Sequence, residues 1–197
     1  MNPETAEAYI LEKLAHNLSA TLYYHGIHHV RDVVDAAMRL AVAEGINDEE
    51  AMVLLRTAAL YHDSGFIDTY RGHEEESCRL ARQTLPRFGY TERQIDQICG
   101  MIMATRIPQA PQTHLEQIIC DADLDYLGRD DFEPIARTLF DELREREMVV
   151  DEDTWNKIQV RFLNTHQYWT PTAIAWRQAG KQAHLEKLRT LVSAQPD

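Results

Sequence analysis

The sequence predicts an all-α fold, and three observations carry that expectation. Only 8 glycines and 7 prolines punctuate 197 residues. No apolar/polar alternation persists long enough to build a sheet. Apolar residues recur instead at helical spacing, as at Val30, Val33, Val34, Ala37, Met38 and Ala41. The first helix is expected over 4–20, an acidic start. The second, over 27–45, carries the stripe just named and stops at Gly45. A third, over 48–63, is apolar on nearly every face from Ala51 to Leu60 except at Arg56 and Thr57, so it is buried; Gly65 follows its end. Helices over 74–88 and 92–104 are separated by Gly89, with Thr91 as N-cap of the latter. Ile107 to Pro111 reads as a loop. A helix over 114–127 stops at Gly128 and is followed by others over 131–147 and 152–168. The last, over 171–193, has Thr170 as N-cap and Pro171 at its first position. No repeat, linker or composition break appears, so residues 1–197 form one domain of eight to nine helices.

Composition narrows the function classes. Hydrophobic residues at 44% and charged residues at 26% exclude a disordered or low-complexity chain. No run of 18 apolar residues exists, so no membrane partner is expected. Thirty-two acids against twenty bases give a net charge of −12, which repels nucleic acid polymers, anionic membranes and small phosphates. Phosphate chemistry on this chain therefore needs a local cation, either a metal or an Arg/Lys cluster. The N-terminus lacks the basic and apolar stretches of a signal peptide, and the three widely spaced cysteines form no disulfide framework. A reducing cytoplasm is the expected address.

Three segments carry the chemistry. In Tyr24-His25-Gly26-Ile27-His28-His29-Val30, His29 is followed at four and seven residues by Val33 and Ala36 and borders the buried stripe. His28 is followed at those offsets by Asp32 and Asp35 and faces solvent. In Leu60-Tyr61-His62-Asp63-Ser64-Gly65, a buried helix ends in a carboxylate, against the negative end of its dipole. That placement calls for a compensating positive charge or an escape to solvent or to Arg56. In Cys120-Asp121-Ala122-Asp123-Leu124-Asp125, Asp123 follows Ile119 by four and faces inward, with Asp121 as second choice; Asp125 joins the polar side. No calcium loop fits, since the glycine and late glutamate are missing. Imidazoles and carboxylates gathered from three helices suit a borderline divalent cation such as Mn, Fe, Co, Ni or Zn, with Mg as a further option.

In order and spacing, His29, His62-Asp63 and Asp123 resemble the HD superfamily of metal-dependent phosphohydrolases, over about Tyr24 to Gly128. The resemblance implies an HD core over about 24–128 with C-terminal helices 131–193 packed on it. It further implies His29, His62, Asp63 and Asp123 as metal ligands and a metal-activated water attacking a phosphate ester. Tyr24-His25 followed by His29 also resembles the entry motif of class I cyclic-nucleotide phosphodiesterases, although Gly26 replaces the usual asparagine. It implies His25 as the acid that protonates the leaving group. Asp63 then orients or deprotonates the water. The expected substrate is a small phosphate ester, a nucleotide first, cleaved as a monoester or a diester. Alternatives on the same scaffold are a non-catalytic nucleotide-binding module and a di-iron oxygenase.

A further tier of candidates could hold substrate. His73, at the start of Gly72-His73-Glu74-Glu75-Glu76, reaches the site or belongs to an ordinary first turn. Arg177 and Lys181, four apart, either clamp phosphate or are solvated; Arg56 and Arg106 are further clamp candidates. The cysteines read as core residues. A homodimer is compatible with all of this.

Overall fold

The structure, a computed structural model, describes residues 1–193. Among them are nine α-helices, with no strand: α1 Pro3–Asn17, α2 Ile27–Ala43, α3 Glu49–Tyr61, α4 His73–Thr84, α5 Glu92–Ala104, α6 His114–Asp123, α7 Phe132–Glu145, α8 Glu152–Thr165 and α9 Pro171–Ser193. The all-α expectation is met. The expected caps are present. Thr91 and Gln94 form a reciprocal capping box on α5, and the Thr170 hydroxyl accepts from the Ala173 N–H at the start of α9.

Three of the expected helices end early in a 3-10 turn. Pro86 ends the 74–88 helix as a regular α-helix, because proline lacks an N–H and crowds the preceding turn; residues Leu85–Phe88 form a 3-10 turn instead. The 48–63 helix closes at Tyr61, with His62 as its C-cap and a 3-10 turn over Ser64–Ile67. The 114–127 helix closes at Asp123 and a 3-10 turn follows over Asp125–Gly128. Of the four glycines expected as stops, Gly45 and Gly89 take φ +76°. Gly65 and Gly128 answer a different need. A Cβ on Gly65 would collide with the His73 carbonyl, and one on Gly128 with the Arg177 carbonyl. Close backbone approach therefore fixes α4 beside the end of α3, and α9 beside the end of α6.

Two apolar clusters organise the packing. The larger joins α1 to α6 through Ile10, Leu14, Leu40, Leu54, Leu55, Ile98 and Ile102, all nearly or fully buried. The smaller joins Tyr24, Tyr126 and Phe132 to Phe140, Trp155, Leu163 and Leu185 on the C-terminal helices. Cys78, Cys99 and Cys120 are buried and unbridged. The ends of α3 and α6 and the start of α2 meet where the two clusters adjoin, and the chemistry gathers there.

Candidate metal centre

His29 sits in the first turn of α2, His62 caps α3, Asp63 opens the following turn and Asp123 ends α6. Helix ends thus deliver all four side chains, and these ends converge on one point. His29 Nε2 lies 3.2 Å from an Asp123 oxygen and 3.4 Å from an Asp63 oxygen. His62 Nε2 lies 3.2 Å from the same Asp63 oxygen and 3.5 Å from the same Asp123 oxygen. His29, His62 and Asp123 each offer a ligand atom within 4.8 Å of the other two. His62 Nδ1–H donates to the Ala59 carbonyl at 2.8 Å, which aims Nε2 at the cluster.

The donors fit a cation. His62 Nε2 and Asp63 Oδ2 are buried without a hydrogen-bond partner. Orphaned buried polar atoms are costly, and a shared cation satisfies both. Charge balance points the same way. Burial opposes ionisation of Asp63, but the imidazolium of His62 outweighs it and holds the carboxyl well below its ordinary range. Burial likewise opposes a charge on His62, and the carboxylates of Asp63 and Asp123 override it upward. The imidazoles of His29 and His62 beside Asp123 pull it down to about 2 against burial. Two buried acids are therefore anionic across the neutral range and draw positive charge between them.

A second layer surrounds this centre. His73 Nε2 lies 3.4 Å from the other Asp63 oxygen, so His73 does reach the site. His25 is set by Glu142 on α7, a residue the sequence reading missed. Glu142 is fully buried and accepts from His25 Nδ1 at 2.5 Å, from the Tyr24 and His25 N–H groups at 2.8 and 3.0 Å, and from the Tyr70 hydroxyl at 2.9 Å. Burial raises its pKa, yet the His25 bond prevails and leaves it at about 2. One signal could have found it: Glu142 follows Ile135 by seven and Leu139 by three, on the apolar stripe of α7. Phe66 stacks with both His25 and His73, at ring-centroid distances of 4.2 and 4.0 Å. His25, Asp63, His73 and Asp123 all line one cavity of about 540 Å³.

The structure does not bring the four basic candidates to that cavity. Arg56 points from α3 toward α1 and makes a two-pronged bond to Glu7 at 2.7 and 2.8 Å. Arg106 pairs with Glu75 on the surface. Arg177 bonds both oxygens of Asp125 at 2.6 and 3.1 Å. Lys181 is 3% exposed and donates to the His166 carbonyl at 2.6 Å, so it is not a solvated residue either. The reading of Asp121 and Asp125 as a polar face is also corrected, since both are buried. Asp121 accepts from the Trp169 and Thr170 N–H groups and the Thr170 hydroxyl, which anchors α9; burial lifts its pKa to about 6. His28 is exposed, as its spacing predicts.

The HD domain family model matches residues 26–125. The chain belongs to the HD domain family. The match contains all four clustered residues, His29, His62, Asp63 and Asp123, and ends before α7. Among solved structures, a predicted HD superfamily hydrolase from an uncultured Thermotogales bacterium is similar over 94% of this chain and 91% of its own, at TM-score 0.61 and 21% identity. Bacillus subtilis YpgQ in complex with ADP is similar over 97% of both chains, at TM-score 0.65 and 17% identity. At these identities the likeness is one of fold. No curated protein matches. The HD fold thus continues through α7, α8 and α9, beyond the residues that the family model covers.

Proposed function

We propose that this HD protein is a metal-dependent phosphohydrolase acting on a small phosphate ester. One observation carries the reading: two orphaned buried ligand atoms, His62 Nε2 and Asp63 Oδ2, lie beside a cavity that His25 also lines. A divalent cation held by His29, His62, Asp63 and Asp123 supplies Lewis acidity, which polarises a phosphoryl oxygen and lowers the pKa of water. Asp63 orients the attacking water and takes up its proton. The water oxygen forms the new P–O bond as the ester P–O bond breaks. His25, with Nδ1 held by ionised Glu142, keeps Nε2 for the proton that the departing oxygen needs. His73, held by Asp63 and Phe66, supports the site.

The paired His25 and Glu142 favour hydrolysis over a purely binding role, because an orienting carboxylate behind an imidazole is what proton transfer requires. The ADP in the YpgQ structure supports testing nucleotides first. The net charge of −12 supports a small-molecule substrate rather than a nucleic acid polymer. The test is phosphate release from a panel of mono- and diesters by protein loaded with Mn, Co, Ni, Fe, Zn or Mg in turn. The reading predicts release that a chelator stops. A di-iron centre without phosphate release would favour the oxygenase.

A further inference from the structure

The cavity beside the metal centre has two unlike ends. Its polar end holds His25, Asp63, His73, Glu74 and Asp123. Its wall comes from the C-terminal helices and is apolar: Phe132, Leu139, Leu143, Trp155, Phe162 and their neighbours. Among the described residues no lysine or arginine lines it. Two nearby arginines are already engaged. Arg146 donates to the Thr21 and Glu142 carbonyls and lies over the Tyr70 ring, while Arg106 pairs with Glu75. Gln159, a polar group on this wall, turns its amide to Asn156. A second phosphate would meet hydroxyls of Tyr70, Thr105 and Tyr126 and the Gln159 amide but no cationic side chain among the described lining residues, and an uncompensated charge in such a volume is strongly disfavoured.

Two of the wall's side chains, Met148 and Ile158, are 47% and 40% exposed. An apolar pair left open to solvent at the edge of a cavity is the feature of a ligand site rather than of a finished core. The volume of about 540 Å³ falls inside the ~300–1,000 Å³ of small-molecule pockets.

We propose that the cavity takes a phosphomonoester with an apolar organic part, an alkyl or aryl monophosphate, with its single phosphate at the metal centre and its body against α7 and α8. The proposal rests on the phosphohydrolase reading and narrows it, moving the substrate away from nucleoside di- and triphosphates. Met148, Ile158 and Phe162 set the specificity. Nothing else in the cavity distinguishes one apolar body from another except length and shape.

The experiment uses the metal-loaded full chain. It compares n-alkyl phosphates from ethyl to octyl, phenyl and naphthyl phosphate, AMP and ADP. The proposal expects kcat/KM to rise about three- to fourfold per added methylene until the cavity is filled. ADP should fall at least a hundredfold below octyl phosphate. Ile158→Glu and Met148→Glu, both at exposed positions that the fold tolerates, should flatten the chain-length dependence. A flat series in the wild type, an unchanged slope in both variants, or a preference for ADP overturns the proposal; the last leaves the phosphohydrolase reading standing. A binding arm separates the two claims. Non-hydrolysable n-alkylphosphonates are titrated calorimetrically against wild type. If no ester is cleaved, the phosphohydrolase reading falls, and affinity rising with chain length still supports an apolar phosphate site. Affinity independent of chain length overturns it.

Discussion

The two ends of the cavity differ in origin as well as in chemistry. Apart from His25, which lies one residue before it, the polar end is built inside residues 26–125, the part matched by the HD family model, and gathers histidine and acidic side chains at helix termini. The apolar wall is built largely from α7 and α8, outside that match, and consists of helix faces carrying leucine and aromatic side chains. The contrast teaches a division of labour. Residues at helix ends suit a cation site because each can be aimed independently. Residues along helix faces shape a volume because they come as a continuous stripe. Glu142 crosses the divide: it sits on α7 and holds His25 of the polar end.

The largest effect that would sharpen this contrast is at the polar end. Asp63→Ala removes a carboxylate facing both histidines, and turnover should become undetectable with chelator-treated and metal-supplemented enzyme alike. Steady-state assay beside Phe162→Ala checks it, since the wall variant should keep measurable turnover. His25→Ala should lower kcat by about 10²–10⁴-fold while leaving metal content unchanged, read by parallel kinetics and elemental analysis. Arg177→Ala tests whether this arginine is a clamp or a tie. Breaking a buried ion pair costs roughly 3–5 kcal/mol. Here Arg129 and Arg39 remain 3.6 and 3.7 Å from Asp125. A loss of about 2–3 kcal/mol in urea unfolding, with kcat unchanged, is therefore expected. A normal fold with a raised KM would restore the clamp.

Glu142→Gln is the smaller perturbation. Loss of an orienting partner typically costs about 10–100-fold, and here it should appear in kcat rather than KM. The same residue carries a pH signature. Its folded pKa of about 2 lies below the ordinary 4.5, so its stabilisation is complete above pH 4.5 and is lost as pH falls toward 2. Urea unfolding of wild type and Glu142→Gln should differ most at neutral pH and converge in acid. A gap that stays constant down to pH 2 would break the link between α7 and His25.

Much of the polar end was legible in the sequence, because helical spacing is local. His29 four residues before Val33, and Asp123 four after Ile119, declare which way they face. His62 and Asp63 announce themselves by ending a helix that has no other polar exit. The rest required tertiary placement. Arg56 and Arg177 look alike in sequence, yet their partners, Glu7 and Asp125, lie 49 and 52 residues away. Asp121 reads as surface by periodicity, but α9 begins on top of it and turns it into a buried cap. Glu142 sits among apolar neighbours with nothing local to show that His25, 117 residues earlier, folds against it. The helix break at Asp123 was likewise invisible, although it frees that carboxylate to meet the histidines.

The central claim is that His29, His62, Asp63 and Asp123 hold one divalent cation. Elemental analysis of wild type and Asp63→Ala after equilibration with divalent cations and gel filtration tests it most directly, with circular dichroism to show that both are folded. The account predicts about one cation per wild-type chain and almost none in the folded variant. Equal metal in both proteins, or none in wild type, would contradict it.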